Sequence, residues 1–214
     1  VDLIMANATP ALQAAMAATA DIPIVATSVT DFATALDISD WTGKTGINVT
    51  GTADLAPLDE QAAMVKELVP DAKTVGILYC SAEPNSKYQA ETVTDELEKL
   101  GFEVKDYTVA DTNEISSVTK KACDEVDCIY IPTDNTIASA TAAVNEIATP
   151  ANIPIIAGEE GICKGCGVAT LSISYYSIGY KAGEMAYDIL VNGKDPADMD
   201  IEFATDLTKK YVED

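Results

Sequence analysis

The sequence contains no arginine and no histidine, and its single tryptophan is Trp41. Each absence removes a class of chemistry. Without histidine there is no Ser-His-Asp triad, no Cys-His pair and no His-built catalytic zinc site. Without arginine there is no bidentate guanidinium fork, the usual clamp on a phosphate or carboxylate. The 13 basic residues are all lysines, set against 35 acids, for a net charge of -22. A surface of that sign repels phosphate, which argues against duplex binding and against nucleic acid as a partner. An anionic group bound here must rely on hydroxyls, backbone N–H groups and helix N-termini. The lone Trp41 sits in a polar, glycine-containing loop, which disfavours a sugar site built on stacked indoles.

No run is long and apolar enough to span a bilayer. The chain opens directly on a strand-like run, Val1-Asp2-Leu3-Ile4-Met5, so a preceding N-terminal segment is expected. Five cysteines are present: Cys80, Cys123, Cys128, Cys163 and Cys166. Cys163-Lys-Gly-Cys166 has knuckle-like spacing, but no second C-x-x-C exists and Cys128 opens an apolar run. Metal, a local disulfide and free thiols all remain open on spacing alone; no retained zinc and no cofactor are expected.

Short apolar runs alternate with amphipathic stretches. Residues 1–5, 22–27, 74–79, 104–109, 128–132, 153–157 and 168–173 are rich in Val and Ile without strict alternation, as strands buried on both faces require. Helical spacing falls at 10–20, 58–69, 86–100, 114–124, 136–148 and 178–191. Val93, Leu97 and Leu100 mark one buried face, and Gly101 is placed to stop that helix. The β-α-β order predicts an α/β fold of two Rossmann-like parallel-sheet lobes. Residues 73–157 supply four strands and three helices, enough for one doubly wound lobe. The first lobe, over 1–52 and 174–201, is expected to lack its opening strands; the second spans 53–173 and 202–214.

Open parallel sheets bind ligands at the carboxyl ends of their strands. Those ends carry polar groups here: Thr9 after the first run; Thr27, Ser28, Thr30 and Asp31 after the second; Ser81, Asn85 and Ser86 after the third; Asp134 and Asn135 after Cys128–Ile131; Glu159 after the Ile153–Ala157 run; and Tyr175 after the last. Helix capping alone explains some of these, with Thr9 before Pro10, Ser86 and Asp134 placed as natural N-caps. Glu159-Glu160 caps nothing obvious, and its two acids repel, so a bound cation or ammonium would relieve them. Hydroxyls dominate the first 50 residues and carboxylates the second lobe, a division that suits a zwitterion.

Ala8-Thr9-Pro10-Ala11, Ile22-Pro23-Ile24-Val25, Asn48-Val49-Thr50-Gly51-Thr52, Pro132-Thr133-Asp134-Asn135-Thr136 and Ala157-Gly158-Glu159-Glu160-Gly161 occur in that order. In these segments the chain resembles the ABC transporter substrate-binding proteins of the tryptophan/tyrosine-transport type, across essentially its whole length. The resemblance implies the periplasmic-binding-protein type I fold, with strand crossings near 50–54, 171–175 and 201–204. It implies an aromatic amino acid held in a cleft between lobes, with its carboxylate at Thr9, Thr27, Ser28 and Thr30 and its ammonium at Asp134 and Glu159. It also implies an extracytoplasmic protein, a membrane permease as partner, and a lipid anchor on a preceding segment. Cys163 and Cys166 look peculiar to this chain.

Two other readings compete. A ligand-sensing domain of a receptor or regulator shares the fold, although a repressor would need a basic headpiece. An enzyme of the flavodoxin or nucleotide-binding type would need a glycine-rich phosphate loop, and neither G-x-G-x-x-G nor a P-loop is present.

Overall fold

A computed structural model describes residues 1–213 of the chain. In chain order the elements are β1 (Ile4–Asn7), α1 (Thr9–Ala18), β2 (Ile24–Val29), α2 (Phe32–Leu36), β3 (Val49–Ala53), α3 (Leu58–Leu68), β4 (Thr74–Cys80), α4 (Pro84–Lys99), β5 (Glu103–Val109) and α5 (Ile115–Glu125). There follow β6 (Cys128–Ile131), α6 (Asn135–Ala138), α7 (Thr141–Ala151), β7 (Ile155–Ala157), α8 (Glu160–Cys166), β8 (Ala169–Ile173), α9 (Tyr175–Leu190), β9 (Glu202–Phe203) and β10 (Leu207–Tyr211). They form two sheets in two units: Val1–Leu55 with Ile173–Leu207, and Ala56–Ser172 with Thr208–Asp214.

The first unit is built on a four-stranded sheet, order β1-β2-β3-β9, with every pairing parallel. Successive residues of a strand face opposite ways, so Ile24 and Ala26 join one core with Leu12 and Phe32. Val25 faces the other side, against Ala182, Met185 and Ile189 of α9. The opposite side of α9 carries exposed Tyr176, Tyr180, Tyr187 and Leu190, so this helix is apolar on two faces.

The second unit holds a six-stranded sheet, order β10-β8-β7-β6-β4-β5. The chain leaves β4 for β5 at one edge, then returns across β4 to β6 and onward. That reversal opens a topological switch point at the carboxyl ends of β4 and β6. Leu78, Ile129, Ile131 and Ile155 pack on one face with α5, α7 and α8; Val75, Ile77, Tyr130 and Ile156 pack on the other with α3 and α4. Burying each such apolar side chain contributes about 1.5–3 kcal/mol, which is why β4, β6 and β7 are rich in Val, Ile, Leu and Tyr.

Gly101 ends α4 as anticipated. Its φ of +91° suits glycine, and the Gly101 and Phe102 N–H groups donate to the Glu98 and Leu97 carbonyls, a Schellman closure. Leu100, expected on the buried face with Val93 and Leu97, lies at the cap and is exposed. The helix expected over 136–148 is two helices, because the chain leaves helical geometry at Ala140, with φ of -139°. Elements not expected include α2, a five-residue helix; α8, which follows directly on β7; and β10, whose Leu207-Thr-Lys-Lys-Tyr211 is largely exposed and has no apolar run to betray it.

Candidate functional site

In the first unit, polar groups gather at the carboxyl ends of β2 and β3. Thr9 was expected to cap α1, but the helix starts one residue earlier in the motif. The N-cap is Ala8, held at φ 76°, and no side chain caps the helix. Thr9 is therefore inside the first turn and buried, and capping does not account for its hydroxyl. Along β2, Ser28 has φ 56°, and the β2–β3 register breaks between Ala26 and Val29. A non-glycine residue in that region costs free energy and commonly re-aims side chains at a site. Thr52 Oγ lies 2.9 Å from Thr27 Oγ and 3.2 Å from the Ile178 carbonyl. A carbonyl only accepts, so the Thr52 proton belongs there and Thr27 donates to Thr52.

Asp54, directly after β3, is the hub of this region and was not singled out as a site residue from sequence. It accepts from the Thr30 hydroxyl at 3.0 Å and the Tyr175 phenol at 3.1 Å. The one available signal was an acid following the wholly buried run Val49–Ala53. Asp31 caps α2 through the Thr34 N–H at 2.7 Å.

In the second unit, the loops after β4 and β6 meet at the switch point and are tied by Glu83. This buried carboxylate accepts from the Asn135 N–H and amide at 3.1 and 2.7 Å, from the Thr136 N–H and hydroxyl at 2.8 and 2.7 Å, and from the Asn85 amide at 3.2 Å. Burial alone would push its carboxyl up; the bonds from Thr136, Asn135 and Asn85 outweigh that and hold it below its ordinary value. Gln89 adds a second tie, donating to the Thr133 carbonyl and accepting from its N–H, both at 3.1 Å. Ser86 is buried beside Asn85, while Ser81 is exposed and donates to the Val109 carbonyl at 3.3 Å.

Asp134 is 1% exposed, and its two oxygens accept from the Ile137 N–H at 2.7 Å and the Cys80 N–H at 2.6 Å. It thus caps α6 and pins the end of β4. Burial, and then the charge of Glu83, raise its carboxyl above the ordinary value, against the bonds from Ile137, Cys80 and Ser86. The Glu159-Glu160 pair was expected to cap nothing. The structure corrects this: Glu159 caps α8 through the Gly161 and Ile162 N–H groups, and Glu160 pairs with Lys210. The unexpected helix α8 is what supplies those donors.

Cys163 and Cys166 are buried in the core with Cys80, and burial pushes their thiols up to about 11 and about 12. Among the described residues, no group of three or more His, Cys, Asp or Glu is placed to hold a metal ion.

The family model for ABC transporter substrate binding proteins matches residues 1–210. A tyrosine-binding protein of Clostridioides difficile (strain R20291) is 39% identical over 200 residues, covering 94% of this chain and 57% of that protein, so the chain spans little more than half the length of this curated relative. A solved ABC domain from Streptococcus pneumoniae in complex with L-Trp superposes with a TM-score of 0.92 at 35% identity, covering 97% of this chain and 72% of that one. A conserved domain protein from Vibrio cholerae superposes equally well, at 0.92 and 30% identity, over 98% and 70% of the two chains. A periplasmic solute-binding protein from Actinobacillus succinogenes with bound D-allose, at 17% identity and a TM-score of 0.67, shares the fold. Two parallel-sheet α/β units and a match over residues 1–210 agree: the chain belongs to the ABC transporter substrate-binding protein family.

Proposed function

We propose that this chain belongs to the extracytoplasmic solute-binding component of an ABC importer and takes an aromatic amino acid, tyrosine or tryptophan. It acts by binding, handing its ligand to a membrane permease, and a lipid anchor on a preceding segment would hold it at the membrane. The observation that carries the reading is the switch point of the second sheet. There the β4 and β6 loops bring Asn85, Ser86 and Asn135 together around Glu83, where an open parallel sheet binds its ligand. The named ligands of the relatives support the choice of amino acid.

The first unit carries polar groups of its own at the carboxyl ends of its strands. The uncapped α1 N-terminus, Thr9 and Ser28 offer N–H and O–H donors to an anionic group, whereas Thr27 commits its proton to Thr52. Thr30 and Tyr175 direct their protons at Asp54 and serve as its partners. Asp31, Asp134 and Glu159 serve chiefly as caps that shape the loops around the ligand. A thermal-shift panel tests this: tyrosine and tryptophan should raise the melting temperature in proportion to log concentration. A rise with ribose or allose, and none with the aromatic amino acids, would reject it.

A further inference from the structure

The amide of Asn85 is held in one orientation by its surroundings. Its nitrogen faces three acceptors: Glu83 Oε2 at 3.2 Å, Ser86 Oγ at 3.3 Å and the Thr133 carbonyl at 3.2 Å. Turning the amide over would set its oxygen against a carboxylate and a carbonyl, so the hydrogen bonds fix which end points where. The consequence is an oxygen with nothing to receive. Asn85 is 4% exposed, and Asn85 Oδ1 is buried without any hydrogen-bond partner. A buried acceptor left unpaired is costly and rare, and it calls for an occupant.

Three features define that occupant. It must bring a donor, because the unpaired atom is an acceptor. It arrives at the carboxyl end of β4, the sheet's switch point. It enters a field set by the charge of Glu83, which is 3.2 Å from the same amide, with Asp134 close enough for its own titration to respond to that charge. Lys87, the basic residue nearest in sequence, is exposed and pairs with Glu91. A positively charged N–H group satisfies all three conditions, and a neutral hydroxyl satisfies only the first two.

We propose that Asn85 Oδ1 is the acceptor that reads the ammonium group of the amino-acid ligand, and that Glu83 is the positioning residue that keeps the oxygen turned toward it. The inference rests on the function proposed above and assigns one atom of the ligand to one atom of the chain. Glu83 itself receives Asn135 and Thr136 as well, so it fixes both loops at once.

The test separates a specific contact from a merely structural role by comparing two ligands. Tyrosine and its des-amino analogue, 3-(4-hydroxyphenyl)propionate, differ only in the ammonium group. In the wild type tyrosine should bind about 10- to 100-fold more tightly, as a charge-assisted bond implies. Asn85→Leu should cost tyrosine about that factor, leave the analogue unchanged, and so collapse the ratio toward one. Glu83→Gln puts an amide group where the carboxylate was and lets the Asn85 amide turn over, so the ratio should fall there too. General damage to the fold would weaken both ligands equally and leave the ratio intact, which overturns the assignment. Should Asn85→Leu fold poorly, the Asn85 side-chain amide resonances of the wild type report instead. They should move with tyrosine and stay in place with the analogue; equal movement refutes the contact. A ligand-bound crystal structure with an isolated water on Oδ1 and the ammonium elsewhere also refutes it. Failure of the wild type to bind either amino acid would remove the proposed function, and this assignment with it.

Discussion

Gln61 of α3 offers a sharp test of how the second unit holds its sheet to α3. The side chain is fully buried; its amide donates to the Gly158 carbonyl at 3.0 Å and the Leu171 carbonyl at 2.8 Å, and its oxygen accepts from the Tyr130 phenol. One side chain thus ties α3 to β6, to β8 and to the residue that follows β7. Gln61→Ala leaves two carbonyls and a phenol unserved in a dry core, and opens a cavity. At about 1–3 kcal/mol for each of the three orphaned groups the loss should be about 3–9 kcal/mol, a large part of an ordinary domain's stability. Tyr130→Phe orphans only the Gln61 oxygen and should cost about 1–2 kcal/mol. In a double-mutant cycle, Gln61→Leu with Tyr130→Phe should cost less than the sum, since each substitution removes the other's missing partner. Urea unfolding measures all three, and with a slope of about 1–3 kcal/mol per molar, Gln61→Ala should lower the midpoint by about 1 M or more. A loss under about 1 kcal/mol for Gln61→Ala, or strict additivity in the cycle, would refute the network.

The Glu83 carboxyl titrates below its ordinary value in the folded protein, so its stabilisation is complete above that value and is lost as pH falls through the folded one. The stability gap between wild type and Glu83→Gln should therefore be widest near neutrality and close in acid, as read from urea midpoints across pH. Asp134 runs the other way. Its raised carboxyl gives a contribution that is full below the ordinary value and lost as pH rises through the folded one, and Asp134→Asn should weaken that decline. At Gly158 an added Cβ would lie 2.8 Å from the Thr133 nitrogen and 2.9 Å from the Pro132 carbonyl carbon, so Gly158→Ala should cost about 1–3 kcal/mol by calorimetry. Cys163 and Cys166, buried and raised to about 11 and about 12, should react with a thiol reagent at pH 8 only as the protein opens, and fast labelling of the native state would contradict that burial.

The middle of the second sheet was legible because β4, β6 and β7 are buried on both faces. Cys128–Ile131 and Thr74–Cys80 announce themselves by an unbroken apolar composition that few other environments demand. The close of α4 was legible because Gly101 supplies a conformation that other residues avoid. What escaped depends on contacts distant in sequence. Strand β10 is polar and exposed, and only its place beside β8 makes it a strand. Helix α8 is seven residues long and rich in glycine, so it reads as loop until Glu159 is seen capping it. Strand-end positions such as Asn85 and Thr27 were recognisable as polar groups following apolar runs. Their partners were not: Glu83 meets Asn135 and Thr136 across more than fifty residues, and Thr30 meets Asp54 across the β2–β3 connection. No local pattern encodes which donor an acid will find, so the acids singled out by motif are committed to caps, and the two hubs, Asp54 and Glu83, emerge only in the folded chain.

The most direct test of the central claim is titration calorimetry of the protein with L-tyrosine and with L-tryptophan, alongside D-ribose and D-allose. The account expects saturable, stoichiometric binding of at least one aromatic amino acid and no heat from either sugar. Saturable sugar binding, with no response to either amino acid, would contradict it.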